Sequence, residues 1–285
     1  MFRTDTDMKQ FKIGLQLYGV RSEMEKDFEG TLQKVHDMGY EYVEFAGYFG
    51  RTGEQIRDIL QRIGLKCVSV HQTPDWILSD GQKAVDFLKA FGTEFCIVPW
   101  YPADRHYGTD AWQDTVKNFT AAADLLRKNG MKLGYHNHDF EFRTYQGKYL
   151  LDYLYETMPQ ELLEPELDTC WIHYAGVEPC AYIRKYAGRM HVIHLKDFVC
   201  TKLGGGPVYA LIGKDGEETA KPTQEESGFR FKPLGEGIQD WHAILAAAED
   251  AGITYAIVEQ DDTYELPPLE AARISREYLR KEFGL

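Results

Sequence analysis

The residues able to do chemistry in this chain gather at the ends of short β-rich runs. GYHNHDFEF supplies His136, Asn137, His138, Asp139 and Glu141; LDT supplies Asp168; HLKD supplies His194, Lys196 and Asp197; and VEQD supplies Glu259, Gln260 and Asp261. A lone polar residue at a strand end is commonly a hydrogen-bonder of the following turn. The recurrence over four successive strand ends points instead to a shared site. Three carboxylates and an imidazole form a mainly oxygen-ligand set suited to Mn²⁺, Mg²⁺, Co²⁺ or Zn²⁺, because carboxylate favours the harder ions and imidazole the later ones. The candidate ligands are Glu141, Asp168, His194 and Glu259. Neighbours in a strand point to opposite sides, so Lys196 shares a face with His194 and Asp197 begins the loop. A divalent cation beside such groups stabilises the enediolate formed when a proton leaves the carbon next to a carbonyl. His138, with His136 or Glu141 as partner, is the expected base on one side, and Glu259 or Lys196 acts on the other. Returning the proton elsewhere gives isomerisation or epimerisation, and expelling a neighbouring substituent gives elimination. Around these lie Gln16, Tyr18 and Arg21 after the first run, Glu44 in the second, His71 in the third, and Trp100 and Tyr101 in the fourth, with Trp76 and Trp171 nearby. Aromatic rings beside hydroxyl-binding polar groups suit a sugar, so His71, Trp100, Tyr18, Trp171 and Gln16 are the substrate-binding candidates.

Eight runs must position these groups: 12–18, 42–47, 66–72, 95–101, 132–138, 163–169, 191–197 and 256–261. Helical patterns alternate with them. Phe28, Leu32, Val35 and Met38 fall on one helix face before Gly39, and Ile56, Ile59, Leu60 and Ile63 do the same before Gly64. Segments 110–129 and 239–251 end likewise at Gly130 and Gly252. Strand and helix alternating eight times predict a closed (β/α)8 TIM barrel of α/β class, a single domain over 1–285 whose catalytic groups sit at the C-terminal strand ends. No GxGxxG follows the first run, which removes the main support for a dinucleotide fold. Residues 198–233, with GGG at 204–206, form a long loop after the seventh strand, readable either as a surface excursion or as a lid.

With 285 residues, 44% hydrophobic and 27% charged, the chain has the composition of a soluble globular protein. A net charge of −13 argues against nucleic acid, whose phosphates need clustered cations, and against anionic membranes. No apolar run approaches the roughly 20 residues that span a bilayer. Five scattered cysteines without a CxxC pair suggest reduced thiols and a cytoplasmic setting, and MFRTDTDMKQ lacks the apolar stretch of a secretory signal. The expected partner is a small sugar or polyol, and nothing in the sequence excludes a homo-oligomer.

HVIHLKD, LDTCWIHYAG, GYHNHDFEF, PLGEGIQDW at 233–241 and the terminal IVEQD together resemble the sugar phosphate isomerase/epimerase family with the xylose isomerase-like barrel, from the first strand to the last helix. The resemblance implies a Glu-Asp-His-Glu metal site from strands five to eight. Asp168, His194 and Glu259 match it directly. The strand-five Glu has no direct counterpart: His136 stands there, and the nearest carboxylate is Glu141. Either Glu141 folds back to the metal, the preferred expectation from ligand hardness, or His136 or His138 replaces the carboxylate. The implied function is a metal-dependent isomerase or epimerase acting by enolisation of a small keto-sugar or cyclitol. The alternative is a lyase or dehydratase on 3-keto-glycosides or inososes, a reading to which the His-rich strand five lends weight. No Gly-rich phosphate cradle follows strands seven or eight, which favours an unphosphorylated ligand. A DNA-repair endonuclease of the same superfamily would need more metal-binding histidines and a basic groove. A metal-free sugar-binding protein would leave the four-residue set without a purpose.

Overall fold

The structure is a computed structural model that describes residues 11–204 and 228–285. Its strands are β1 (Lys12–Gln16), β2 (Tyr42–Phe45), β3 (Lys66–His71), β4 (Phe95–Val98), β5 (Lys132–His136), β6 (Thr144–Tyr145), β7 (Lys148–Tyr149), β8 (Glu164–Asp168), β9 (Val192–Leu195), β10 (Asp197–Val199), β11 (Arg230–Lys232) and β12 (Tyr255–Val258). Eight of them close into a barrel in the order β1-β12-β9-β8-β5-β4-β3-β2, with every pairing parallel. Seven of the eight expected runs contain a whole barrel strand, and the eighth, 256–261, overlaps all of β12 but its first residue, Tyr255. The runs overshoot at their C-terminal ends, because residues such as Leu17–Val20 turn into a 3-10 helix there and leave the ladder. These ends form the mouth.

Two apolar layers hold the barrel. Outside it, a continuous core joins the strands to helices such as Phe28–Asp37, Gly53–Ile63, Trp112–Lys128 and Trp241–Asp250. The expected glycines follow these helices with positive φ, 96° at Gly39 and 95° at Gly64, the left-handed turn that a side chain disfavours. Inside, Tyr42, Val68, Phe95, Ile97, Val192, Tyr255 and Ile257 fill the lower half of the barrel. Gly14 and Gly134 make room there: a Cβ at either would strike Ile257 or Ile97. Above this plug the inward positions become polar, with Gln16, Glu44, Ser69, His136, Glu166, Asp168 and His194 all buried. A shift in register between β2 and β3, where Val43 pairs with Cys67 but Glu44 with Ser69, lets β3 give Val68 to the plug and Ser69 to the polar layer. Bulges that re-aim side chains in this way recur beside active sites.

After β9 the chain leaves the barrel as β10, which pairs antiparallel with β11 on the return. This pair is the described base of the expected long loop 198–233; residues 205–227, and with them the choice between excursion and lid, lie outside the described residues. No described helix is long and apolar enough to cross a membrane.

Candidate active site

Four neighbouring strands bring candidate side chains together at the mouth. His136 ends β5, Asp168 ends β8, His194 lies on β9, and Glu259 follows β12. The ligand atoms of these four residues lie within 4.8 Å of one another. His136 Nε2 is 3.2 Å from Asp168 Oδ2 and 3.8 Å from Glu259 Oε2, while His194 Nδ1 is 2.8 Å from Glu259 Oε2 and 4.0 Å from Asp168 Oδ2. Ligands at about 2.1 Å from a single ion sit about 3 to 4 Å apart, so this buried set fits a divalent cation.

Neighbouring groups fix the set. Asp168 caps the helix Thr169–Tyr174 through Oδ1, which accepts from the backbone N–H of Cys170 and Trp171, and Oδ2 is thereby turned to the site. The Asn137 amide bonds both the N–H and the carbonyl of Asp168, tying β5 to β8 beyond their last ladder bond. Lys196 Nζ lies 2.9 Å from Asp168 Oδ2, 2.7 Å from Glu259 Oε2 and 3.0 Å from Asp261 Oδ2. Burial pushes the Asp168 carboxyl up, but the Lys196 ammonium and His136 outweigh it and hold the group at about 2. Glu259 is held low in the same way, against burial, by Lys196 and then His194. Burial depresses His136 to about 4 and lowers His138 as well, the latter with help from His136 and Lys196, so both rings are neutral near pH 7.

The structure separates the fourth expected ligand from this group. Glu141 sits in a 3-10 turn, Phe140–Phe142, on the outer side of β5. Its Oε1 accepts from the Tyr135 hydroxyl at 2.6 Å and its Oε2 from the backbone N–H of His138 at 2.8 Å. Tyr135 alternates with His136, so a carboxylate bonded to Tyr135 lies on the opposite side of the strand from the mouth cluster. His136 takes the strand-five place. Two substrate-binding candidates are also redirected. Gln16 is fully buried and donates to Glu44 Oε1 at 2.6 Å; Trp171 is fully buried behind Lys196, whose Nζ stands 5.1 Å from its ring centroid. Phe231 joins Trp171 there, 5.7 Å from the same ammonium.

His71 meets the site from β3, its Nε2 3.0 Å from both Glu44 and Glu166. Tyr18 is exposed after β1 with the Arg21 guanidinium stacked on its ring, and Arg21 bonds the Asp261 carbonyl. Trp100 is partly exposed after β4. Trp76 and Tyr101 pack outside the barrel, on Tyr48 and Phe119. His138 is partly exposed, its ring stacked on Phe140 and 4.9 Å from His136. Glu166 was not among the sequence candidates, although it stands two residues before Asp168 and must share its face. Ser69, which donates to Glu44 Oε2, has no such signal.

A family model described as xylose isomerase-like TIM barrel matches residues 32–282. The chain belongs to the xylose isomerase-like TIM barrel family. Similar to this xylose isomerase-like barrel is an inosose dehydratase of Clostridium botulinum (strain Alaska E43 / Type E3), 23% identical over 218 residues that cover 70% of this chain and 68% of that protein. A crystal structure of a sugar phosphate isomerase/epimerase from Parabacteroides distasonis ATCC 8503 covers 98% of both chains at 20% identity with a TM-score of 0.74. The IOLI protein, solved with a zinc atom, covers 96% of this chain and 98% of its own at 14% identity with a TM-score of 0.68. At such identities the solved structures speak to the shared fold.

Proposed function

We propose that the chain removes water from a small polyol ketone, an inosose-like cyclitol or keto-sugar, by way of its enolate, with His136, Asp168, His194 and Glu259 holding a divalent cation. The observation that carries this reading is the convergence of those four ligand atoms beside Lys196 at the barrel mouth. When bound, the cation supplies a Lewis acid that polarises the substrate carbonyl and acidifies the adjacent C–H. His138, neutral by burial and placed next to His136, takes that proton. The electron pair of the broken C–H bond forms the enolate double bond and then expels the hydroxyl on the next carbon. Lys196, held as an ammonium among three carboxylates, gives that hydroxyl the proton with which it leaves as water. Elimination is supported by the similarity to an inosose dehydratase. The isomerase or epimerase reading shares the first proton transfer and differs only in that no hydroxyl departs.

The test is turnover in D₂O over a panel of inososes and keto-sugars with added Mn²⁺, Co²⁺, Mg²⁺ or Zn²⁺, followed by mass spectrometry and NMR. A product lighter by one water is expected. A deuterated product of conserved heavy-atom composition assigns epimerisation instead, and absence of both exchange and metal binding removes the enolisation chemistry altogether. His138→Ala is expected to cut turnover about a hundredfold or more while leaving the metal content unchanged.

A further inference from the structure

The mouth cluster shares His194 with a second cluster directly beneath it. Glu44, His71, Glu166 and His194 also bring one ligand atom each within 4.8 Å of one another, so similar donors offer two places for a cation. The shared imidazole decides between them. A neutral imidazole has one N–H and one lone pair, so it ligates through one nitrogen while the other keeps its hydrogen. His194 can therefore serve one cluster as ligand and the other only as donor.

Its Nε2 has the surroundings of a donor. Glu44 Oε1 lies 2.8 Å away and Glu166 Oε2 3.3 Å away. Glu44 is in turn anchored by the Gln16 amide on Oε1 and the Ser69 hydroxyl on Oε2, with His71 Nε2 at 3.0 Å. Nδ1, on the other side of the ring, faces Asp168 and Glu259, and the mouth cluster takes His136, Asp168 and Glu259 from the last residue of their strands or just beyond, the end of the barrel where substrates bind, while the lower cluster draws on Glu44 and Glu166 from within theirs. Glu44, Glu166 and His194 are wholly buried. Resting on the metal-centre reading above, we infer that Glu44 is a positioning residue: it fixes the N–H of His194 on Nε2 and so aims the Nδ1 lone pair at the mouth, and the lower cluster is a hydrogen-bonded ring rather than a second cation site. Glu166 Oε1 is buried without a hydrogen-bond partner, which is what a second cation would satisfy, so cations must be counted as well as their affinity measured.

Cobalt(II) titrated into metal-free protein, followed by visible absorption and calorimetry, reads both quantities without reference to turnover. Wild type is expected to bind one Co²⁺ per chain. Glu44→Gln should still bind one, about 10 to 100-fold more weakly and with altered d–d bands, since removing the partner of a ligating histidine typically costs that much. Glu44→Asp, which keeps the charge, should recover part of the affinity, and Glu166→Gln should still bind one ion. Two Co²⁺ in wild type falling to one in Glu166→Gln would overturn the inference, as would wild-type affinity and spectrum in Glu44→Gln. Should Glu44→Gln not fold, Ser69→Ala removes one anchor of Glu44 and must shift affinity in the same direction by a smaller factor; an unchanged affinity there counts against the inference. A wild type that binds no Co²⁺ removes the metal-centre reading itself.

Discussion

Lys196 and Asp197 are adjacent in sequence, equally buried, and belong to two regions built on opposite principles. Lys196 faces the mouth, and its ammonium lies against three carboxylates, Asp168, Glu259 and Asp261. Asp197 faces the loop base, and its partners are neutral donors: the backbone N–H groups of Phe198 and Gln239 on Oδ1, and those of Gly235 and Gly237 with the Trp241 indole on Oδ2. The second arrangement is a clamp that ties the departing β10 to the returning segment 233–241. It explains the second glycine of PLGEGIQDW, because a Cβ on Gly237 would strike the Asp197 carboxylate. Fixed dipoles around one charge give rigidity. Several mobile charges around one another give a site whose protons can exchange.

Lys196→Met should therefore produce the largest functional effect, a loss of turnover of about 10² to 10⁴ expected for removal of a proton-transfer group. Folding should survive, and Co²⁺ should bind at least as tightly as in wild type, since a competing ammonium leaves the carboxylates. A variant that keeps its turnover would strip Lys196 of its role as acid. Asp197→Ala should act the other way round. It orphans the donors of the clamp, at about 1 to 3 kcal/mol for each buried group left unsatisfied, so urea unfolding should show a loss of about 3 kcal/mol or more, while the folded fraction keeps its cation. If Asp197→Ala instead abolished metal binding without destabilising the fold, the division between the two regions would fail.

Much of this was legible beforehand. The eight strands follow from β-rich runs broken by amphipathic stretches, and the helix ends from glycines whose positive φ the structure displays. Asp168, His194, Lys196 and Glu259 stand out in the sequence because barrel chemistry is confined to strand ends and because β alternation fixes which neighbours share a face. That same alternation, applied two residues back from Asp168, leads to Glu166. The pairing of Glu44 with His194 had no local signal: the residues are separated by 150 positions, and only barrel closure brings them together. Gln16 and Trp171 are of types that suit a sugar, whereas burial makes both of them supports. Glu141 was displaced for a further reason. The turn after β5 carries it outward to Tyr135, and ligand hardness has no influence on where a turn points.

Glu141 thus resembles Asp197 more than Asp168, and its pH behaviour offers the finest test of the comparison. Burial pushes its carboxyl up from 4.5 to about 8, against the hydrogen bonds from Tyr135 and His138 that lower it. The folded state therefore prefers the neutral acid. A raised carboxyl pKa contributes stability that is complete below pH 4.5 and is lost as pH climbs through about 8. Glu141→Gln keeps a neutral group of the same shape, its amide oxygen accepting from His138 N–H and its NH₂ reaching the Tyr135 hydroxyl. The slope of unfolding free energy against pH over that window should flatten in the variant, which becomes at least as stable as wild type at the alkaline end, while turnover and cation content stay close to those of wild type. Loss of the cation in Glu141→Gln would return this residue to the metal and displace His136 from the fourth position.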